Sequence, residues 1–284
     1  MDDRYSFGSI KLDRLDNNLN TNLDRNTVLI SLEEVSLFAK LNAKAKNIPG
    51  YSILQDISFE AIAGSCNTIV GATGAGKTFL LRLLNRLCEP TSGKIYFHNR
   101  DYQQIPILEL RTSIVLVPQE PKLLGMTVKD ALAYPLILRK IPKSEIQQRV
   151  NGWIEKLQIS DDWLGRSELQ LSLGQRQLCA IARALVIQPQ VLLLDEPTAA
   201  LDIVTAERLM QILSQLSQTQ NLTVIMVNHQ LELLQEFYSH STNQDGNILH
   251  LSQGRLLSNQ KALQVDWNNL KTSLIQAETE DDFI

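Results

Sequence analysis

Short apolar runs separated by turns dominate the chain from Val28 onward, and they follow two periods. Cys66-Asn67-Thr68-Ile69-Val70 reads as a strand that ends at glycines, whereas Val191-Leu192-Leu193-Leu194 and the stretch from Leu222 to Val227 are continuous apolar runs. Runs without polar alternation suit parallel strands covered on both faces. Between them, Ile146, Val150, Trp153, Ile154 and Leu157 keep the spacing of one helix face. Ser144, followed three residues later by Gln147, predicts a capping box at the start of that helix. The pattern as a whole predicts an α/β core carrying a helical insertion at about residues 120–178.

Both ends of the chain read differently. Residues 1–28 are polar and rich in Asn and Asp, which predicts a flexible N-terminal extension. Leu12, Leu15, Leu19 and Leu23 nevertheless fall at helical spacing, so a docking helix is the alternative. After Gly254 the sequence turns polar and helix-compatible, and residues 257–284 read as a polar C-terminal tail.

Composition narrows the class. With 44% hydrophobic and 20% charged residues the chain is globular rather than disordered or fibrous. A net charge of −4 supplies no basic field for nucleic acid, which is therefore not an expected partner. Cys66, Cys88 and Cys179 are odd in number and include no C-x-x-C pair, which argues against a disulfide framework and fits a reducing compartment. No apolar run approaches the roughly 20 residues of a membrane helix. Two early acids, Asp2 and Asp3, with no apolar stretch after them speak against a secretory signal. Any work at a membrane then requires a different polypeptide to cross it.

One motif carries explicit chemistry. Gly71-Ala72-Thr73-Gly74-Ala75-Gly76-Lys77-Thr78 fits G-x-x-x-x-G-K-[ST], with a strand before it and the apolar helix Phe79 to Leu87 after it. Glycines let backbone N–H groups curl around a phosphate, and the helix N-terminus adds partial positive charge. Lys77 can reach the β- and γ-phosphates of a nucleotide, and the Thr78 hydroxyl can ligate Mg²⁺.

A phosphate loop alone leaves several NTPase classes open. Further along stand Val115-Leu116-Val117-Pro118-Gln119-Glu120-Pro121, then Leu171-Ser172-Leu173-Gly174-Gln175-Arg176-Gln177, then Val191 to Thr198 with Asp195-Glu196-Pro197, then Ala200-Leu201-Asp202, and His229 after the last apolar run. This ordered set resembles the ATP-binding-cassette (ABC) ATPases: Walker A, Q-loop, signature, Walker B with its glutamate, D-loop and H-loop. The resemblance covers about residues 29–256. It implies a P-loop NTPase fold with a RecA-like parallel-sheet core, an antiparallel β subdomain and a helical signature subdomain. GTPases are set aside because no N-K-x-D motif is present.

The resemblance assigns roles by position. Asp195 ends a buried strand, where a carboxylate is costly unless a cation such as Mg²⁺ meets it. Glu196 resembles the family's general base, His229 a γ-phosphate and water contact, and Gln119 a ligand of Mg²⁺ or of the attacking water. Ser172 and Gly174 would complete the ATP site of an opposing subunit, with Gln175 and Asp202 also expected at the nucleotide, so that two cassettes, identical or homologous, close head to tail around two nucleotides. For adenine stacking both Tyr51 and Phe38 are near, with Tyr51 preferred. The signature departs from the family's Leu-Ser-Gly-Gly-Gln at Leu173, which is expected to point away from the nucleotide.

Among ABC proteins, DNA-associated ATPases with a long coiled coil, excision-repair proteins with zinc cysteines, and translation factors with paired cassettes all need features missing from this sequence. The expectation is an ATP-hydrolysing subunit at the cytoplasmic face of the membrane, powering an integral membrane permease. The alternative is a soluble ABC-type ATPase driving a non-transport machine. Residues 120–128 are the expected coupling surface. The substrate stays open among iron-export-like, phosphate and amino-acid cassettes.

Overall fold

A computed structural model describes residues 27–39, 51–240 and 246–281. The leucine stripe from Leu12 to Leu23 lies outside them. Two sheets organise the chain. β1 (Val28–Phe38), β2 (Ser52–Ile62), β4 (Ser92–Phe97) and β5 (Arg100–Asp101) form an antiparallel sheet in the order β2-β1-β4-β5. The second sheet combines β3 (Cys66–Val70), β6 (Ile114–Val117), β7 (Val191–Asp195), β8 (Thr223–Val227), β9 (Asn247–Ser252) and β10 (Arg255–Lys261) in the order β10-β9-β3-β8-β7-β6. It is parallel from β9 to β6, and only β10 returns antiparallel.

The continuous apolar runs are explained by this sheet. Every residue of β3, β7 and β8 is buried. Successive side chains leave a strand on opposite faces. Leu192, Leu194, Val224 and Met226 accordingly join one core cluster, while Val191, Leu193, Ile225 and Val227 join another. The second cluster includes the inner face of the antiparallel sheet and α1 (Lys77–Leu84). Neither face of β7 or β8 meets water, so strict alternation is absent from those runs, and the polar residues buried in these strands, such as Asn67 and Thr68 of β3, have hydrogen-bond partners.

Between β6 and β7 run α3 (Val128–Leu138), α4 (Lys143–Lys156), α5 (Asp161–Leu164) and α6 (Leu173–Leu185), after the short α2 (Ile107–Ser113). Along α4, Val150 and Trp153 are buried, Ile146 and Ile154 pack partly buried against the same cluster, and Leu157 closes the helix. The helical spacing is therefore the core-facing stripe. The expected capping box at Ser144 is a correction: α4 starts one residue after Pro142, which is its N-cap without a side-chain cap bond, and Ser144 lies within the first turn. Proline at a helix start has its φ preset, with no N–H to satisfy, and it sets the boundary.

Past β7 come α7 (Ile203–Gln220) and α8 (Leu231–His240), and α9 (Trp267–Asp281) closes the described chain. β10 crosses the boundary placed at residue 256 and pairs with β9 as far as Lys261. Its exposed edge position lets it carry polar residues, which is why it reads as tail. Among the described residues no helix is long and apolar enough to cross a membrane.

Candidate active site

The phosphate loop joins β3 to α1. Gly76 is the N-cap of α1, offers no side-chain cap, and no acidic residue occupies the first turn. The N-terminal N–H groups of the helix are thus left for an anionic partner. Lys77 is buried, and its Nζ donates to the carbonyl oxygens of Gly71 at 2.8 Å and Ala72 at 2.6 Å. Thr73 and Gly74 form the exposed crest of the loop, while Ala72 and Ala75 are buried beneath it.

Thr78, one step into α1, donates its hydroxyl to Asp195 Oδ2 at 2.8 Å. Asp195 ends β7 and is 4% exposed. Burial raises its pKa above the usual carboxylate value, and the Thr78 hydroxyl offsets this only in part. A buried carboxylate in that condition gains from a cation. The Thr78–Asp195 pair beside an anion-seeking helix start fits Mg²⁺ held together with nucleotide phosphates. Among the described residues no cluster of three His, Cys, Asp or Glu side chains forms a protein-only metal site. A metal completed by phosphate oxygens requires none.

Glu196 follows in a left-handed conformation, φ 50°, and its N–H donates to the Val227 carbonyl at 3.0 Å. A non-glycine residue held there is sterically costly. Both carboxylate oxygens are engaged. Gln119 Nε2 donates to Oε2 at 2.9 Å, and His229 Nε2 lies 3.0 Å from Oε1. Three residues that follow β6, β7 and β8 thus meet at the same end of three adjacent parallel strands, the end where open α/β sheets present ligands. Gln119 bonds to Glu196 rather than to Thr78 or Asp195.

Behind this trio is a network that the motifs do not announce. Asn228, 2% exposed, donates Nδ2 to Thr198 Oγ1 at 3.0 Å. Thr198, itself buried, donates its hydroxyl to Gln230 Oε1 at 2.9 Å, and the Gln230 N–H donates to Asn228 Oδ1 at 2.9 Å. The loop bearing His229 is pinned to the loop bearing Glu196. Two polar residues flanking the histidine, directly after an apolar strand, were the available signal.

The other site residues sit apart. Ser172 is the N-cap of α6 and forms a capping box with Gln175: Ser172 Oγ accepts from Gln175 N–H at 3.1 Å, and Gln175 Oε1 accepts from Ser172 N–H at 3.0 Å. Asp202 caps α7 by accepting from the Thr205 N–H and hydroxyl, and these bonds hold its pKa below the usual value. Neither group bonds to the phosphate loop among the described residues. Tyr51 stands at the mouth of β2, 76% exposed, with its carbonyl accepting from the Ala39 N–H at 2.8 Å.

The sequence profile of the ABC transporter family matches residues 54–199, which include the phosphate loop, Gln119, the α6 cap and the Asp195-Glu196 pair. The chain belongs to the ABC transporter family. It is 34% identical, over 83% of its length and 68% of the relative's, to the methionine import ATP-binding protein MetN of Histophilus somni. With methionine import ATP-binding protein MetN 1 of Bacillus thuringiensis subsp. konkukian it shares 36% identity over 64% of its own length and 55% of that protein. The chain thus spans about half of several of the relatives it matches. A dimeric ATP-binding cassette solved in a post-hydrolysis state with ADP and Pi superposes with a TM-score of 0.72 at 27% identity, covering 82% of this chain and 99% of that one. CbiO1 of Clostridium perfringens, part of the ABC transporter complex CbiONQ, does so at 0.70 and 26%, covering 90% and 99%. The fold is that of an ABC cassette: a P-loop NTPase with a mostly parallel core sheet, an antiparallel sheet and a helical segment.

Proposed function

We propose that this chain binds ATP with Mg²⁺, hydrolyses it, and powers a separate membrane-spanning permease from the cytoplasmic face of the membrane. The observation that carries the reading is Glu196, held on one oxygen by Gln119 and on the other by His229, beside the Thr78–Asp195 pair.

The chemistry follows from the residues. The N–H groups at the start of α1 and the Lys77 ammonium receive the β- and γ-phosphates, releasing Lys77 from its carbonyl contacts. Thr78 and Asp195 would hold Mg²⁺, whose charge would offset that of the phosphates. Each Glu196 oxygen keeps a second lone pair, so the carboxylate can accept a proton from water while Gln119 and His229 fix its plane. Tyr51 is exposed enough to stack on adenine.

Ser172, Gly174, Gln175 and Asp202 then serve the ATP bound by an opposing cassette, in a two-fold head-to-tail pair. An apolar groove of about 240 Å³, lined by Val117, Leu124, Tyr134, Pro135, Leu138 and Ile187, receives a segment of the permease. Leu124 and Leu138 are more than half exposed there, which suits a surface completed by a partner. The relatives named for methionine import favour an importer of an amino acid, with recognition in the permase-side chains rather than in this one.

The test is phosphate release by the purified chain with ATP and Mg²⁺, wild type against Glu196→Gln. The variant is expected to bind ATP, lose turnover by about 10²–10⁴-fold, and accumulate as a dimer on size exclusion. A monomer at high protein concentration with ATP would count against the paired assembly.

A further inference from the structure

The phosphate loop is held from outside chiefly by main chain, with the Leu54 side chain also against Gly76. The turn between β9 and β10, Gln253-Gly254, reaches it: the Gly254 N–H donates to the Ala75 carbonyl at 3.2 Å, and the Gly254 carbonyl accepts from the Gln55 N–H of β2 at 2.7 Å. β2 also lies against the loop's last glycine. A Cβ on Gly76 would stand 2.8 Å from the Ile53 carbonyl oxygen, and one on Gly254 would stand 2.5 Å from the same atom. At the loop's first residue, a Cβ on Gly71 would meet the carbonyl oxygen of Leu251 at 2.0 Å, and Leu251 belongs to the strand that leads into the turn. The β9–β10 hairpin and β2 thus close a ring around Gly71, Ala75 and Gly76.

We propose that the β9–β10 turn is a positioning device for the nucleotide, with Gly254 setting the peptide plane that joins Ala75 to Gly76. In a trans peptide the C=O and N–H point in opposite directions, and no cis peptide occurs among the described residues. Anchoring the Ala75 oxygen on Gly254 therefore turns the Gly76 N–H away from the hairpin, into the set of donors at the start of α1. That donor is aimed before any ligand arrives, so the loop spends less of the binding energy on ordering itself. Gly254 can do this because it holds φ +76° with no Cβ, a conformation other L-residues enter only at a cost. Both hydrogen bonds of Gly254 are backbone to backbone, which is why no motif reports them.

The inference rests on the phosphate loop being the ATP site, and its test separates the two. Gly254→Ala is compared with Gly93→Ala, a control with the same kind of strain, φ +79° and a Cβ 2.4 Å from the Glu34 carbonyl, in the antiparallel sheet away from the loop. Gln55→Pro is the second variant: on an edge strand it removes the N–H that holds Gly254 and sets the ring Cδ against the Gly254 carbonyl instead. ATP affinity is measured by calorimetry, steady-state kinetics by phosphate release, and Tm by melting. Gly254→Ala is expected to weaken ATP binding and raise KM by about tenfold with kcat within about twofold. Gln55→Pro should shift both in the same direction by less, and Gly93→Ala should lower Tm with ATP affinity unchanged. Wild-type ATP affinity in Gly254→Ala and Gln55→Pro, at a Tm loss like that of Gly93→Ala, would make the turn structural only and overturn the proposal. Wild-type protein that fails to bind ATP would remove the reading of the loop itself.

Discussion

A Cβ placed on Gly174 would stand 2.4 Å from the carbonyl oxygen of Ala200. The start of α6 therefore rests directly on the segment that follows Glu196, inside one chain. Gly174 permits a packing contact here, in addition to the approach to an opposing nucleotide that the sequence motif implies.

Gly174→Ala tests that contact. Forcing a side chain against backbone costs about 1–3 kcal/mol, and the shift moves the Ala200-Leu201-Asp202 segment. Tm is expected to fall and turnover to drop together, with ATP binding retained. A variant that melts like wild type would show the contact to be slack.

Leu173 behaves differently. It is the first residue of α6, 42% exposed, and belongs to neither core cluster. Leu173→Gly should keep ATP hydrolysis within about threefold and cost roughly 0.5–1 kcal/mol of stability through backbone entropy. Loss of turnover at an unchanged Tm would give Leu173 a direct part in the chemistry.

Asn228→Ala removes the donor that ties the His229 loop to Thr198. Leaving buried partners unsatisfied costs about 1–3 kcal/mol, and the histidine loses its fixed bearing on Glu196. The expected result is a kcat lowered by about tenfold with KM for ATP unchanged. An equal rise in KM would place the network in binding rather than in alignment.

Asp195→Asn should abolish turnover yet raise Tm when neither Mg²⁺ nor nucleotide is present. Burial raises the folded-state pKa of Asp195, so the native state takes up a proton more readily than the unfolded chain. Its effect on stability is least harmful below the ordinary carboxylate pKa, and the penalty grows as pH rises through the folded value. At neutral pH the ionised side chain is therefore a cost that the amide removes. Melting curves between pH 4 and 8 should converge for variant and wild type at the acid end. A neutral-pH Tm below that of wild type would refute this account.

Much of this was readable beforehand because each element answers to local chemistry. The phosphate loop declares itself through spacing, β3 through the glycines that end it, and β7 and β8 through runs too apolar for an exposed face. The stripe from Ile146 to Leu157 is a helix because its period matches one. The Ser144 capping box failed where two local signals competed, since Pro142 starts the helix without needing a cap. β10 reads as tail in the sequence because an edge strand with an exposed face carries no apolar pattern.

The sequence by itself determined the cassette fold, the order of its motifs, and the residue types that can face a phosphate, a cation and a water. Tertiary structure alone decided how they meet: Gln119 and His229 on opposite oxygens of Glu196, Asn228 on Thr198, Gly174 on Ala200, and the Gly254 turn on Ala75. The physical reason is sequence distance. A hydrogen bond between residues far apart in the chain leaves no periodicity, and one made by backbone atoms alone leaves no residue type to recognise.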